Sequence, residues 1–208
     1  MPDTNTKLVR EFLEAHNFSV ITNRKFQLQK ADPPGRYSID LLGMNMGYLK
    51  PETELPMRLH ADHMRFIPNV IVDVKGWHSD RFSPSMLAAS PEIFYFVSPS
   101  ALDYARSVFG DAPFKSILVI SEAPATEPVW FRMEEMLREK GVDHVLEFPT
   151  ILRFLISYVE VNFNYVESET LQLLRLLKRY GLVKGLQLEL PFKMRAADPE
   201  SEGHDLGS

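Results

Sequence analysis

The stretch Asn69-Val-Ile-Val-Asp-Val-Lys-Gly-Trp77 constrains the fold more than any other part of the 208-residue chain. Residues 67–77 are rich in valine and isoleucine, the composition of a central strand buried on both faces. One acid and one amine interrupt it, Asp73 and Lys75. Side chains alternate across a strand, so Asp73 and Lys75 leave on one face, and Val70, Val72 and Val74 on the other. A buried charge without a partner is costly. An acid and an amine held side by side can bind a cation and orient a water.

The rest of the chain supplies layers for such a strand. Residues 5–16 read as a helix, with Leu8, Val9, Phe12 and Leu13 on one side, Thr4 or Thr6 as cap and Asn17 as stop. Residues 18–29 alternate as a strand with a turn at Asn23-Arg24, residues 31–35 form a turn cluster, and residues 37–44 form a second strand. Residues 45–66, with Gly47, Pro51 and Pro56, look irregular. Beyond the central strand, residues 84–97 and 99–109 read as helical and 114–121 as a buried strand. A helix at 129–140, closed by Gly141, leads to a short strand at 142–148. That strand–helix–strand unit favours parallel pairing. Residues 151–161 and 168–180 are amphipathic helices, and 186–192 has the pattern of an edge strand. The sequence predicts an α/β fold: a mixed central sheet flanked by helices over residues 1–148, with a helical C-terminal extension packed on it over 149–192. The small, acidic and polar residues 193–208 are expected to be a disordered tail.

A cation at Asp73 needs a second acid, and Asp40 is the natural candidate. It stands mid-strand among Ile39, Leu41 and Leu42, where a lone charge is unfavourable. Pairing of the strands at 37–44 and 67–77 would bring Asp40 to Asp73, and the Val74 carbonyl offers a third oxygen. Oxygen ligands from one or two carboxylates, completed by a substrate phosphate, suit a hard ion such as magnesium.

An initial helix, a strand carrying Ile39-Asp40-Leu41-Leu42, then a strand carrying Ile71-Val72-Asp73-Val74-Lys75-Gly76 is similar to the PD-(D/E)xK nuclease superfamily, over roughly residues 5–148. The resemblance implies a restriction-endonuclease-like fold and metal-dependent hydrolysis of phosphodiester bonds in DNA or RNA. Asp40, Asp73 and the Val74 carbonyl would hold Mg2+ or Mn2+, and the catalytic set would be Asp40, Asp73 and Lys75, with Lys75 orienting the attacking water. The 33-residue step from Asp40 to Asp73 makes residues 45–66 an insertion. Many members add a glutamate from the first helix. Here Glu11 and Glu14 fall away from the face of Leu8, Phe12 and Leu13, whereas Asn5 falls on it, so no helix acid is assigned.

Composition narrows the alternatives. The absence of cysteine removes disulfides and thiolate zinc sites and fits a reducing compartment, and with neither a signal-peptide start nor a membrane-length apolar run, a cytoplasmic protein is expected. A net charge of −5 argues against a protein that coats nucleic acid, although a metal site itself needs carboxylates. Nucleic acid, most naturally DNA, would be gripped by the scattered Arg24, Lys25, Arg36, Arg65 and Arg81. His60 and His63 have the spacing of a metal pair on a helix but read as a polar loop. Trp77 reads as core rather than a base-stacking platform, and His78 as a loop residue that could touch a phosphate. The leucines at 171, 173, 174, 176 and 177 serve either the core or a homodimer seam. The rival to an active nuclease is thus an inactive nuclease-fold module in nucleic-acid or protein binding and dimerisation.

Overall fold

The computed structural model describes residues 3–27, 36–79 and 81–183. In chain order it contains α1 (Thr4–Ala15), β1 (Phe18–Gln27), β2 (Arg36–Asn45), a 3-10 helix (Ala61–Phe66), β3 (Asn69–Lys75), α2 (Pro84–Ala89), a second 3-10 helix (Pro91–Val97), α3 (Pro99–Phe109), β4 (Phe114–Ile120), α4 (Glu127–Glu139), β5 (His144–Glu147), α5 (Phe148–Tyr158) and α6 (Glu169–Arg179). The five strands lie side by side in sequence order. β1, β2 and β3 are antiparallel, whereas β3, β4 and β5 are parallel, so the sheet is mixed and flanked by helices as expected.

The central strand sits in the middle of this sheet because both of its faces are covered. Val70, Val72 and Val74 pack with Leu41, Ile117 and Val119 under Val9 and Phe12 of α1, Ile151 and Leu155 of α5, and Leu171 of α6. Ile71 packs on the opposite face with Leu42, Leu118 and Ile120, under Leu87, Phe96, Ala101 and Met133 of the helices between β3 and β5. A strand covered on both sides needs apolar residues at consecutive positions, and residues 70–72 and 74 meet that demand. Asp73 is the exception, 5% exposed.

Several boundaries differ from the sequence reading, each for a local reason. Asp3 rather than Thr4 or Thr6 caps α1, its Oδ1 accepting from the Thr6 N–H at 2.8 Å. Asn17 ends the helix in the left-handed region (φ 64°), a conformation asparagine tolerates. No turn forms at Asn23-Arg24: β1 continues, with Thr22 opposite Leu41 and Arg24 opposite Ile39, because β2 offers partners along this whole length. Pro91 divides the helix expected over 84–97 into α2 and a 3-10 helix, since the residue before a proline disfavours the helical region. Residues 45–66 include the 3-10 helix at their end and a parallel bridge from Arg58 to Val145 that extends the sheet beyond β5. The turn cluster at 31–35, the edge strand at 186–192 and the tail at 193–208 lie outside the described residues. Among the described residues no helix is long and apolar enough to cross a membrane.

The topology gives the sheet one edge at which three strands end together. Because β3, β4 and β5 run the same way, their last residues Lys75, Ile120 and Glu147 stand in register. In open α/β sheets ligands bind outside the carboxyl ends of such strands.

Candidate active site at the carboxyl end of the central strand

The backbone ladder between β2 and β3 ends at Leu41 opposite Val72. The next positions along that register are Asp40 and Asp73, just past the last paired residues, and their carboxyls meet there. The ladder's next donor, the Val74 N–H, is taken up by the Asp40 side chain, whose Oδ2 accepts it at 2.9 Å. A residue's N–H and C=O leave a strand on the same side, so the Val74 carbonyl also faces the gap where β2 parts from β3. The structure therefore brings Asp40, Asp73 and Val74 together as the sequence reading expects, through a side-chain contact in place of a strand bond.

Lys75 joins them on the Asp73 face. Its Nζ lies 2.7 Å from Asp73 Oδ2, an ion pair with the lysine side chain 21% exposed. The oxygen is buried, so the ammonium stands there in place of water. Burial pushes the Asp73 carboxyl up to about 7, with Asp40 adding to the rise and Lys75 opposing it. Burial also raises Asp40, against the Val74 N–H and Lys75. The two carboxyls lie within hydrogen-bonding reach of each other, and the doubly charged form of the pair is disfavoured.

The first helix reaches the site with an amide. A Cβ on Gly76 would come within 2.1 Å of Asn5 Nδ2, so the Asn5 amide fills the space a side chain there would need. His78 Nε2 lies 3.0 Å from Asn5 Oδ1, and its ring packs edge-on against Phe148, 4.7 Å between centroids. The helix acids point elsewhere: Glu11 accepts from Ser168 Oγ at 2.5 Å, and Glu14 accepts from Arg10 Nε at 2.7 Å. Glu147, the last residue of β5 at this edge, is committed to Arg58 and the Ala123 N–H.

The remaining candidates separate cleanly. His60 donates its backbone N–H to His63 Nδ1 at 3.1 Å, an arrangement internal to the 3-10 turn. Trp77 is half-buried and stacked on Phe82 at 5.3 Å, so it belongs to the core. Arg65 lies over the Phe66 ring before the start of β3, at the far edge from Lys75, whereas Arg81 lies beyond the near edge. The side chains of Arg24, Lys25 and Arg36 are outside the described part. The contacts of Asn5 with Gly76 and His78 were missed by sequence reasoning. Their one signal was the place of Asn5 on the buried face of the first helix.

Among the described residues no group of three His, Cys, Asp or Glu side chains stands close enough to hold a metal. A magnesium-like ion, however, uses one or two carboxylates and completes its shell with water and phosphate. Two neighbouring carboxyls and a strand carbonyl form an all-oxygen set of that kind. No family model matches the chain, and neither does any curated protein or solved structure.

Proposed function

We propose that the chain is a divalent-metal-dependent nuclease of the PD-(D/E)xK type, hydrolysing phosphodiester bonds in DNA or RNA. The observation that carries this reading is the buried Asp73 carboxyl, held 2.7 Å from the Lys75 ammonium and beside the Asp40 carboxyl at the carboxyl edge of the sheet. Two buried carboxyls and a lysine gathered at a strand end, with Asp73 pushed up to about 7, are the kind of perturbed cluster found at functional sites.

Asp40, Asp73 and the Val74 carbonyl would hold Mg2+ or Mn2+. When bound, the ion supplies Lewis-acid stabilisation of the phosphate's developing charge and activates water. Asp40 has a double task, since the oxygen that accepts the Val74 N–H fixes its carboxyl against the gap between the strands. Asp73 must give up its proton to act as a ligand, so metal binding weakens as pH falls through the range where the carboxyl is protonated. Lys75, released from its ion pair, is placed to hold the attacking water and to offset negative charge at the phosphate.

A second reading, an inactive nuclease-fold module that dimerises, draws on the exposed Leu173, Leu176, Tyr180 and Leu182 of the C-terminal region. One assay separates the two. Supercoiled plasmid and end-labelled single-stranded DNA and RNA are incubated with the full chain in Mg2+, Mn2+ or EDTA. Metal-dependent cleavage, lost in Asp73→Asn and Lys75→Met variants that keep native circular dichroism, is the expected result. Absence of cleavage on every substrate, or cleavage that survives EDTA or Asp73→Asn, contradicts it.

A further inference from the structure

A cleft of about 270 Å³ lined by His78, Ser79, Arg81, Ser121, Glu122 and Pro149 opens past the carboxyl ends of the parallel strands. Three chain segments meet there: the turn after β3, the residues just past β4, and the start of α5 after β5. It is therefore a crevice outside the ends of the three parallel strands, continuous along the chain with Lys75.

Its two walls have unlike rigidity. One is fixed: His78 is exposed yet held on both sides, by Asn5 Oδ1 through Nε2 and by the Phe148 ring, and its N–H bonds back to the Gly76 carbonyl at 3.0 Å. The close approach of the Asn5 amide to Gly76 fixes the same turn from below. The other wall is exchangeable. Arg81 donates Nε and Nη2 to the two oxygens of Glu122 at 3.1 and 3.4 Å, with both side chains about half exposed. Exposed pairs of this kind hold weakly. The planar guanidinium fork that meets a carboxylate also meets a phosphate in the same bidentate manner.

We propose that this cleft seats the phosphate next to the scissile one on a nucleic-acid strand, and that Arg81 exchanges Glu122 for that phosphate when the strand arrives. The inference rests on the nuclease reading and deepens it by naming the strand's path. Glu122 is then a gate: it occupies Arg81 in the free protein and repels anions that do not bring a bidentate phosphate. For a chain of net charge −5, such a gate makes local grip selective where overall charge gives no attraction.

The test measures binding of a labelled single-stranded oligonucleotide to the full chain in EDTA across a salt series. Arg81→Ala is expected to weaken binding several-fold and to reduce the slope of log affinity against log salt by about 0.7, the share of one phosphate on a single strand. Glu122→Gln is expected to tighten binding. Arg138→Ala makes the same charge change on α4, beside the starts of β4 and β5, and is expected to leave the slope unaltered. Equal effects of Arg81→Ala and Arg138→Ala, no tightening by Glu122→Gln, or no binding by the unmodified chain overturns the cleft. Binding with the expected responses but no cleavage under any condition sinks the nuclease reading and leaves the cleft standing. Cleavage with Arg81→Ala and Glu122→Gln indistinguishable from the unmodified chain does the reverse.

Discussion

The Val74 N–H donates to Asp40 Oδ2 at 2.9 Å, at the point where the backbone ladder between β2 and β3 has stopped. One carboxylate thus closes the sheet and faces the candidate ion site. The two tasks separate by mutation. Asp40→Ala leaves a strand N–H in a covered region without an acceptor and is expected to cost about 1–3 kcal/mol of stability in urea unfolding. Asp40→Asn keeps an acceptor oxygen and removes a charge that burial disfavours, so its stability should equal or exceed that of the unmodified chain. Equal stability of Asp40→Ala and the unmodified chain would show that the contact is not structural.

Asp73 should destabilise the fold at alkaline pH. Its folded-state value is raised to about 7 from an ordinary 3.8, so the folded state binds the extra proton between these limits. The associated stability is fully present below the ordinary value and is lost as pH rises through about 7. Asp73→Asn is therefore expected to raise stability at pH 8, by on the order of 2–4 kcal/mol, and to change it little at pH 4. Thermal melts of both proteins at the two pH values check this. A gain at pH 4 with none at pH 8 reverses the sign and contradicts it. A stabilising loss of a carboxyl is the mark of a group retained for function.

Much of this site was legible in the sequence because strand periodicity is a strong signal when one face must be apolar. Asp73 and Lys75 stand out in a valine-rich run, and their common side follows from alternation alone; the structure places Val70, Val72 and Val74 in the opposite core. The parallel pairing of β4 and β5 followed from the helix between them. What could not be read lies in contacts between segments far apart in the chain. That the Asp40 side chain replaces a ladder bond depends on where two strands part, and no local pattern records it. Nor does the first helix announce that Asn5 meets Gly76 and His78, more than 70 positions away. The apolar spacing of residues 84–97 runs unbroken across Pro91, so periodicity alone does not show that the proline divides the segment.

Gly76 and Asn5 are expected to be coupled. A Cβ at position 76 would come within 2.1 Å of Asn5 Nδ2 and 2.5 Å of its Cγ. Gly76→Ala should cost about 1–3 kcal/mol, the usual range for overpacking. Asn5→Ala alone loses the contact with His78, about 0.5–1.5 kcal/mol. With the amide gone the added methyl has room, so the double variant should be more stable than the sum of the single losses implies. Neighbouring residues of this kind couple by roughly 0.5–3 kcal/mol in a double-mutant cycle. Strict additivity would show that the Asn5 amide does not fill the space above Gly76.

The salt bridge between Lys75 and Asp73 sets a further expectation. Lys75→Met removes the partner that opposes the rise of Asp73, so the buried carboxyl should hold its proton to still higher pH. The alkaline loss of stability would then move upward, and a melt-against-pH profile would show the displacement. A profile that moves downward would mean that Lys75 does not stabilise the charged carboxyl.

The central claim is that Asp40 and Asp73 share one divalent ion, and calorimetric titration of Mn2+ into the full chain measures it most directly. The account expects one ion per chain at pH 8 and weaker binding at pH 6, where Asp73 holds a proton that the metal must displace. Asp40→Asn and Asp73→Asn should each reduce affinity by more than the ~10–100-fold that loss of an outer-shell partner costs. No binding by the unmodified chain, or binding unaffected by both substitutions, would contradict it.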